Sequence, residues 1–267
     1  MKHGCILGLV FSIILATSNA DAKECFIASK NQRLIYAEGD CDKRYPPCST
    51  FKIAISLMGF DSGILIDESH PTWDFQLGYV DWLERWQQPH DPTLWLANSC
   101  VWYSQLITKQ LGAPSFSDYT RRFAYGNQDV SGDPGMHNGL TDSWLSSSLT
   151  ISPKEQMYFL NKLVSNTLPV SRHAQEKTKN IMYQEVLTNG WELYGKTGNG
   201  SQLADDGTKM EDRQVGWFVG FLRKDENVIT FVQLIADDEK QETYASLRAK
   251  TLFKDRIHNI LADVDGD

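Results

Sequence analysis

What this 267-residue chain lacks narrows its chemistry first. It has no Cys-x-x-Cys, and its six histidines are scattered singly, so no metal-ligand spacing stands out and no metal is expected. Basic charge is not in excess either. The formal net charge is -8, which argues against nucleic acid and against an anionic membrane surface as partners. A small anionic ligand is still permitted, provided a few cations are focused locally. Only one long apolar stretch occurs, Cys5 to Ala16, and it falls short of the roughly 20 residues of a membrane span. No internal repeat or low-complexity segment is apparent, so one large domain or two interleaved lobes suits the length.

That apolar stretch has another use. Lys2 supplies a positive start, and Ser18-Asn19-Ala20 or Ala20-Asp21-Ala22 fits the small-x-small cleavage rule, so residues 1–22 read as a secretory signal. The mature chain, residues 23–267, is expected to be soluble and outside the cytoplasm, with no membrane association after signal removal. Four cysteines remain in it: Cys25, Cys41, Cys48 and Cys100. An oxidising compartment permits disulfides, and sequence cannot choose among the three complete pairings. Cys25 with Cys41 is favoured because both flank one predicted hairpin, whereas Cys48 and Cys100 read as buried small residues.

The predicted elements begin with strands at Cys25–Ala28 and Leu34–Ala37, turning through Ser29 to Arg33. From residue 49 to about 187 the chain reads as helices and loops. A helix follows Ser49 and ends near Gly59 to Gly63; Pro89 and Pro92 read as breakers in a tryptophan-rich stretch; a helix opens near Asn98 or Ser99 and stops at Gly112. Another covers Ser117 to Phe123, then Tyr125 to Gly139 is loop. Ser152-Pro153-Lys154-Glu155 is a capping box that starts a helix through Leu163, which makes Ser152 structural. Glu192–Thr197, Gly216–Leu222 and Val228–Ile235 read as strands, and Glu242–Leu261 as an amphipathic closing helix. Strands at both chain ends imply a mixed α/β (α+β) fold: a central antiparallel sheet from residues 23–45 and 190–267, flanked by helices, with a mainly helical lobe, 46–189, inserted.

One short stretch carries chemistry. Ser49-Thr50-Phe51-Lys52 follows Pro46-Pro47 and leads into the apolar run from Ile53 to Met58, so Ser49 and Lys52, at i and i+3, share one face of a buried helix start. A serine becomes a nucleophile when a neighbouring base takes its proton, and burial can lower a lysine's pKa enough for that task. A lone Ser-x-x-Lys reads as readily as a helix cap followed by a snorkelling lysine. Three further motifs, in order, add weight: Ser99-Cys100-Val101, Tyr125-Gly126-Asn127 and Lys196-Thr197-Gly198.

In order and spacing these motifs resemble the serine penicilloyl-transferring superfamily, and within it the class D, oxacillinase-type β-lactamases. Trp217-Phe218-Val219-Gly220, and Trp144-Leu145 ahead of Leu149-Thr150-Ile151-Ser152, extend the resemblance from about Cys25 to the C-terminal helix. It implies the serine β-lactamase/D,D-peptidase fold and a periplasmic enzyme that hydrolyses small-molecule β-lactams of the penicillin type and so confers antibiotic resistance.

The resemblance implies roles as well. Ser49 would be acylated, and Lys52 would be an N6-carboxylysine formed with carbon dioxide, the general base of both half-reactions; no other cofactor is implied. Trp144 would donate its indole N–H to that carbamate, while Val101 and Leu145 would cover it. Ser99 would relay a proton to the departing nitrogen, with Lys196 polarising its hydroxyl and attracting the substrate carboxylate. Thr197 and Gly198 lie on the strand edge, where Thr197 would bond the carboxylate. Backbone N–H groups of Ser49 and Asn199 would form the oxyanion hole. Arg248 would be a carboxylate-binding arginine, or else an exposed helix charge. Tyr125-Gly126-Asn127 reads as mainly architectural, with the tyrosine shaping the pocket wall. Two other readings share the serine and lysine: a β-lactam sensor domain, disfavoured because no membrane span follows the signal, and a D,D-peptidase. Monomer and homodimer stay equally open.

Overall fold

The computed structural model describes residues 23–187 and 190–265. The proposed signal, residues 1–22, lies outside them. Six strands, β1 (Lys23–Lys30), β2 (Arg33–Gly39), β3 (Tyr183–Val186), β4 (Glu192–Leu203), β5 (Lys209–Lys224) and β6 (Asn227–Ala236), form one sheet in the order β2-β1-β6-β5-β4-β3. Every neighbouring pair is antiparallel. Both chain ends therefore build the sheet, as the pattern implied.

Alternation along β1, β4, β5 and β6 loads both faces of the sheet with apolar side chains. Phe26, Phe218 and Phe231 pack with Phe253 and Leu261 of the closing helix α7 (Ala245–Asp265). Ile27, Trp217, Val219 and Val232 belong to the larger core on the opposite face, which they share with the helical lobe. That lobe comprises α1 (Lys52–Asp61), α2 (Pro92–Asn98), α3 (Val101–Arg122), α4 (Gly139–Asp142), α5 (Pro153–Val164) and α6 (Arg172–Ile181). Helix α1 is buried on nearly every side, since nine of its ten residues are buried. It is thus the central rod of the lobe, and its first turn cannot shift without disturbing the core.

Several boundaries differ from expectation for local reasons. Pro92 does not break a helix but begins one, because Asp91 caps α2 by accepting from Leu94 N at 2.7 Å. The next helix starts at Val101, since Ser99 closes α2 in the left-handed region at φ 58°. Gly112, at φ 74°, interrupts α3 before Pro114, so the expected stop there is a kink. Helix α6 and strand β3 were not foreseen; β3 adds Tyr183–Val186 to the sheet, inside the span 46–189 assigned to the lobe. The capping box is present in full, with Ser152 and Glu155 each bonded to the other's backbone N–H. Cys25 and Cys41 form a disulfide, and Cys48 and Cys100 are free and buried. Among the described residues no helix is long and apolar enough to cross a membrane.

Candidate active site

A single 3₁₀ turn, Cys48–Phe51, delivers the chain from Pro46-Pro47 into α1. Ser49 on that turn is partly exposed, whereas Lys52, the first residue of α1, is fully buried. The Lys52 Nζ donates to Ser49 Oγ at 3.1 Å. Burial lowers the Lys52 amine from 10.5 to about 8, since its charged form loses solvation among apolar side chains. Cys48 and Cys100 stand near this amine, and burial pushes their thiols up to about 12 and about 11 respectively. Both thiols are thus protonated at neutral pH and give Lys52 no anionic partner.

A second hydroxyl and amine complete the cleft. Ser99 lies in the turn between α2 and α3, and its Oγ accepts from Lys196 Nζ at 2.9 Å across 97 residues of sequence. Lys196, on β4, also donates to the Thr197 carbonyl at 2.9 Å and is almost wholly buried. Its pKa falls well below the ordinary lysine value, first through burial and then through repulsion by Lys52, Lys250 and Arg85. Repulsion from Lys52 places the two dyads in one electrostatic neighbourhood.

Strand β4 is held against the Ser49 turn by the absence of a side chain. A Cβ on Gly198 would stand 2.8 Å from the Pro47 carbonyl oxygen and 3.0 Å from the Thr50 nitrogen. Only glycine permits that approach. Gly198 pairs with Trp217 on β5, and the Trp217 indole N–H donates to the Pro46 carbonyl at 2.9 Å. The Lys196-Thr197-Gly198 strand and the serine turn are thereby fastened to each other. Thr197 is half-buried at the same edge. Asn199 spends its side chain on scaffolding: Nδ2 donates to Gln214 Oε1 at 3.2 Å and Oδ1 accepts from Ser246 N at 3.0 Å, at the start of α7. Its backbone N–H is independent of those bonds.

Trp144 is completely buried, with ring centroids 5.9 Å from Phe51 and 6.2 Å from Phe116. Among the described residues its indole N–H has no hydrogen-bond partner. An unpaired buried donor costs about 1–3 kcal/mol, so this one calls for an explanation. Val101 is buried at the start of α3, and Leu145 is half-buried after Trp144. Tyr125 is fully buried with its ring 4.9 Å from Phe51, so it buttresses the Ser49 turn from within the core and is not itself an exposed part of a pocket wall. At Gly126, φ 53°, a Cβ would lie 1.9 Å from the Thr150 carbonyl oxygen. Asn127 accepts from Thr150 N and donates to the Ser148 carbonyl, which ties this loop to the segment carrying Trp144.

Arg248 is half-buried and paired within the chain. Its Nη2 donates to Asp237 Oδ2 at 2.6 Å and its Nε to the Thr243 carbonyl at 3.3 Å. The Asp237 side chain is only 1% exposed. A buried carboxylate without a cation would be strongly destabilising, so one edge of the guanidinium is committed to it, while the Arg248 side chain stays 28% exposed. Sequence reasoning did not find Asp237 as a partner, because nothing in a sequence marks one aspartate among many as buried. Among the described residues no group of three or more His, Cys, Asp or Glu side chains is placed to hold a metal ion.

A serine and a second hydroxyl, each bonded to its own buried amine beside one strand edge, make a serine acyl-transfer site. Residues 14–258 match the family model described as the penicillin binding protein transpeptidase domain. The chain is 40% identical to β-lactamase OXA-9 of Klebsiella pneumoniae over 88% of its own length and 87% of that protein. To β-lactamase OXA-1 of Escherichia coli it is 39% identical, covering 85% of this chain and 80% of the other. The crystal structure of the OXA-427 class D β-lactamase superposes with a TM-score of 0.85 at 44% identity, covering 90% of this chain and 99% of that one. The chain belongs to the class D β-lactamases, and it is a β-lactamase enzyme acting through serine.

Proposed function

We propose that the enzyme opens penicillin-type β-lactams through an acyl-enzyme on Ser49, with Lys52 carboxylated by carbon dioxide, and that it confers antibiotic resistance from the periplasm. The observation that carries the carboxylated lysine is the unpartnered indole N–H of buried Trp144 beside Phe51, the residue preceding Lys52. Two features of Lys52 fit the same group. With a pKa near 8, roughly one amine in ten is neutral at pH 7, whereas an ordinary lysine offers roughly one in three thousand. Only the neutral amine combines with carbon dioxide. No carboxylate is among the causes that set its pKa, and the modification would supply an anionic oxygen acceptor for Trp144.

When bound, the carbamate supplies a base that takes the Ser49 proton and later activates water. Ser49 Oγ attacks the lactam carbonyl carbon, and the C–N bond breaks as the nitrogen takes a proton through the Ser99 hydroxyl. Lys196 keeps that hydroxyl oriented by its 2.9 Å bond, and the proton that Ser99 passes on is made good by the one taken from Ser49, which returns the base to the form that activates water. Backbone N–H groups of Ser49 and Asn199 receive the oxyanion, and Gly198 permits the approach that brings them together. Water then cleaves the Ser49 ester, releasing the ring-opened acid. Val101 and Leu145 limit the entry of bulk water over Lys52. Export is supported by the signal-like residues 1–22 and by the Cys25–Cys41 bridge, which belongs to an oxidising compartment.

The test follows hydrolysis of a chromogenic penicillin by mature protein with and without bicarbonate, alongside mass spectrometry of trapped Ser49. Repeated turnover that rises with bicarbonate is the expected result. Stoichiometric acylation of Ser49 without release would overturn it and move the role to a sensor or a penicillin-binding protein.

A further inference from the structure

Three of the non-glycine residues with left-handed backbone border the site: Cys48 at φ 49°, Ser99 at φ 58° and Ser146 at φ 53°. A side chain makes that conformation unfavourable, so it persists where the surroundings enforce it, often beside functional groups. Cys48 immediately precedes Ser49, and Ser99 is bonded to Lys196, so both conformations shape parts of the site already described. Ser146 has no such role. It is buried, two residues beyond Trp144.

Its hydroxyl meets β4 just past the Lys196-Thr197-Gly198 stretch, where Ser146 Oγ accepts from Ser201 N at 2.9 Å. A Cβ on Gly200 would stand 2.5 Å from that oxygen and 2.6 Å from Cys48 Sγ. The Ser49 turn, the Trp144 segment and β4 thus converge where the strand has no side chain. Strand parity then places the Asn199 N–H. Successive N–H groups of a strand point to opposite edges, and β5 takes one edge of β4. Gly195 N donates to the Met182 carbonyl and Ser201 N to Ser146, so the odd-numbered residues turn their N–H to the edge away from β5. Asn199 shares that parity, and the bulge in the β4–β5 pairing comes only after Ser201.

We propose that Ser146 is a positioning residue for the reaction: by holding Ser201 N it fixes the free edge of β4, and with it the Asn199 N–H, at the place where the oxyanion develops. The inference rests on the oxyanion role proposed for that N–H. A donor of this kind has to be aimed before the charge appears, and a misplacement of about 1 Å can cost about 100-fold in rate. The bound substrate carries no such charge, so Ser146 acts on the transition state and little on ground-state binding.

The experiment compares Ser146→Ala and Ser146→Gly with wild type at low and at saturating bicarbonate. Both variants delete the hydroxyl, and glycine accepts φ 53° without strain, which separates the bond from the backbone conformation. Each should lower kcat/KM for benzylpenicillin about 10- to 100-fold at saturating bicarbonate. Affinity for phenylboronic acid should fall in step, because its boron bonds to Ser49 Oγ as the hydroxyl proton leaves and the resulting tetrahedral anion sets an oxygen at the oxyanion position. Binding of benzylpenicillin to Ser49→Ala should stay within about 2-fold when Ser146→Ala is added. Unchanged boronate affinity would overturn the proposal, as would an equal loss of ground-state binding. So would a defect confined to low bicarbonate, which would assign the effect to Trp144, or a wild-type rate in Ser146→Gly. Acylation of wild type without release would overturn the proposed turnover, and the boronate affinities would still decide the role of Ser146.

Discussion

Replacing Trp144 by Phe isolates one hydrogen bond. The substitution keeps an aromatic ring against Phe51 and Phe116 and deletes the buried N–H that has no partner among the described residues. If that N–H serves the carbamate on Lys52, a bond to a charged acceptor is lost, about 1.5–3 kcal/mol. The affinity for carbon dioxide should then fall about 10- to 150-fold. Fold stability should respond differently. Without bicarbonate, removing an unsatisfied donor relieves a cost of about 1–3 kcal/mol, and the void left by the smaller ring offsets it, so the net change stays within about 1 kcal/mol. The assay is the bicarbonate concentration for half-maximal turnover, read beside Tm in carbon-dioxide-free buffer. Bicarbonate should also raise the Tm of wild type more than that of the variant, since a ligand stabilises the state it binds. A Trp144→Phe enzyme with the wild-type bicarbonate requirement would refute the assignment, because the orphaned donor would then have no part in holding the carbamate.

Three other outcomes are expected. Lys52→Ala should lose deacylation more completely than acylation, because the water has no other base; mass spectrometry after rapid mixing should find Ser49 acylated and slow to clear, and equal loss of both steps would argue against the base. In carbon-dioxide-free buffer, Lys52 is held at about 8 in the folded chain against 10.5 when unfolded, so the unfolded chain binds more protons across that window and stability should rise with pH from about 8 to 10.5, on the order of 3 kcal/mol relative to Lys52→Met. Urea titrations at several pH values measure the slope, and a flat or falling difference contradicts the burial. Asn199→Ala should cost about 1–2 kcal/mol of stability by freeing Ser246 N and Gln214, yet leave turnover nearly intact because the oxyanion donor is backbone; a large drop in kcat at unchanged stability would point to a direct role for the side chain.

Much of the scaffold was legible because it depends on short-range geometry. Ser49 and Lys52 are one helical turn apart, so their 3.1 Å contact follows from the backbone once the run from Ile53 to Met58 requires a buried helix. The Ser152 capping box and the two-ended sheet follow from equally local signals. Where local signals were weak, the reading failed: β3 has only four residues, and α2 is a seven-residue helix whose proline looked like a breaker.

The sequence by itself determined the Ser49–Lys52 pair, the order of the motifs and the fold class, since each rests on residues a few positions apart or on periodicity within one element. Tertiary structure alone decided which distant groups meet. Lys196 reaches Ser99 because β4 closes on the α2–α3 turn, and the strand can approach the serine turn because Gly198 has no side chain. Arg248 is drawn to Asp237 because packing buries that carboxylate, while the turn carrying Trp86 lies beside Ser99 because the Trp86 indole finds the Asn98 carbonyl. Such pairings are set by the shapes of packed surfaces and the need to satisfy every buried polar group, and neither is written in the spacing of residues along the chain.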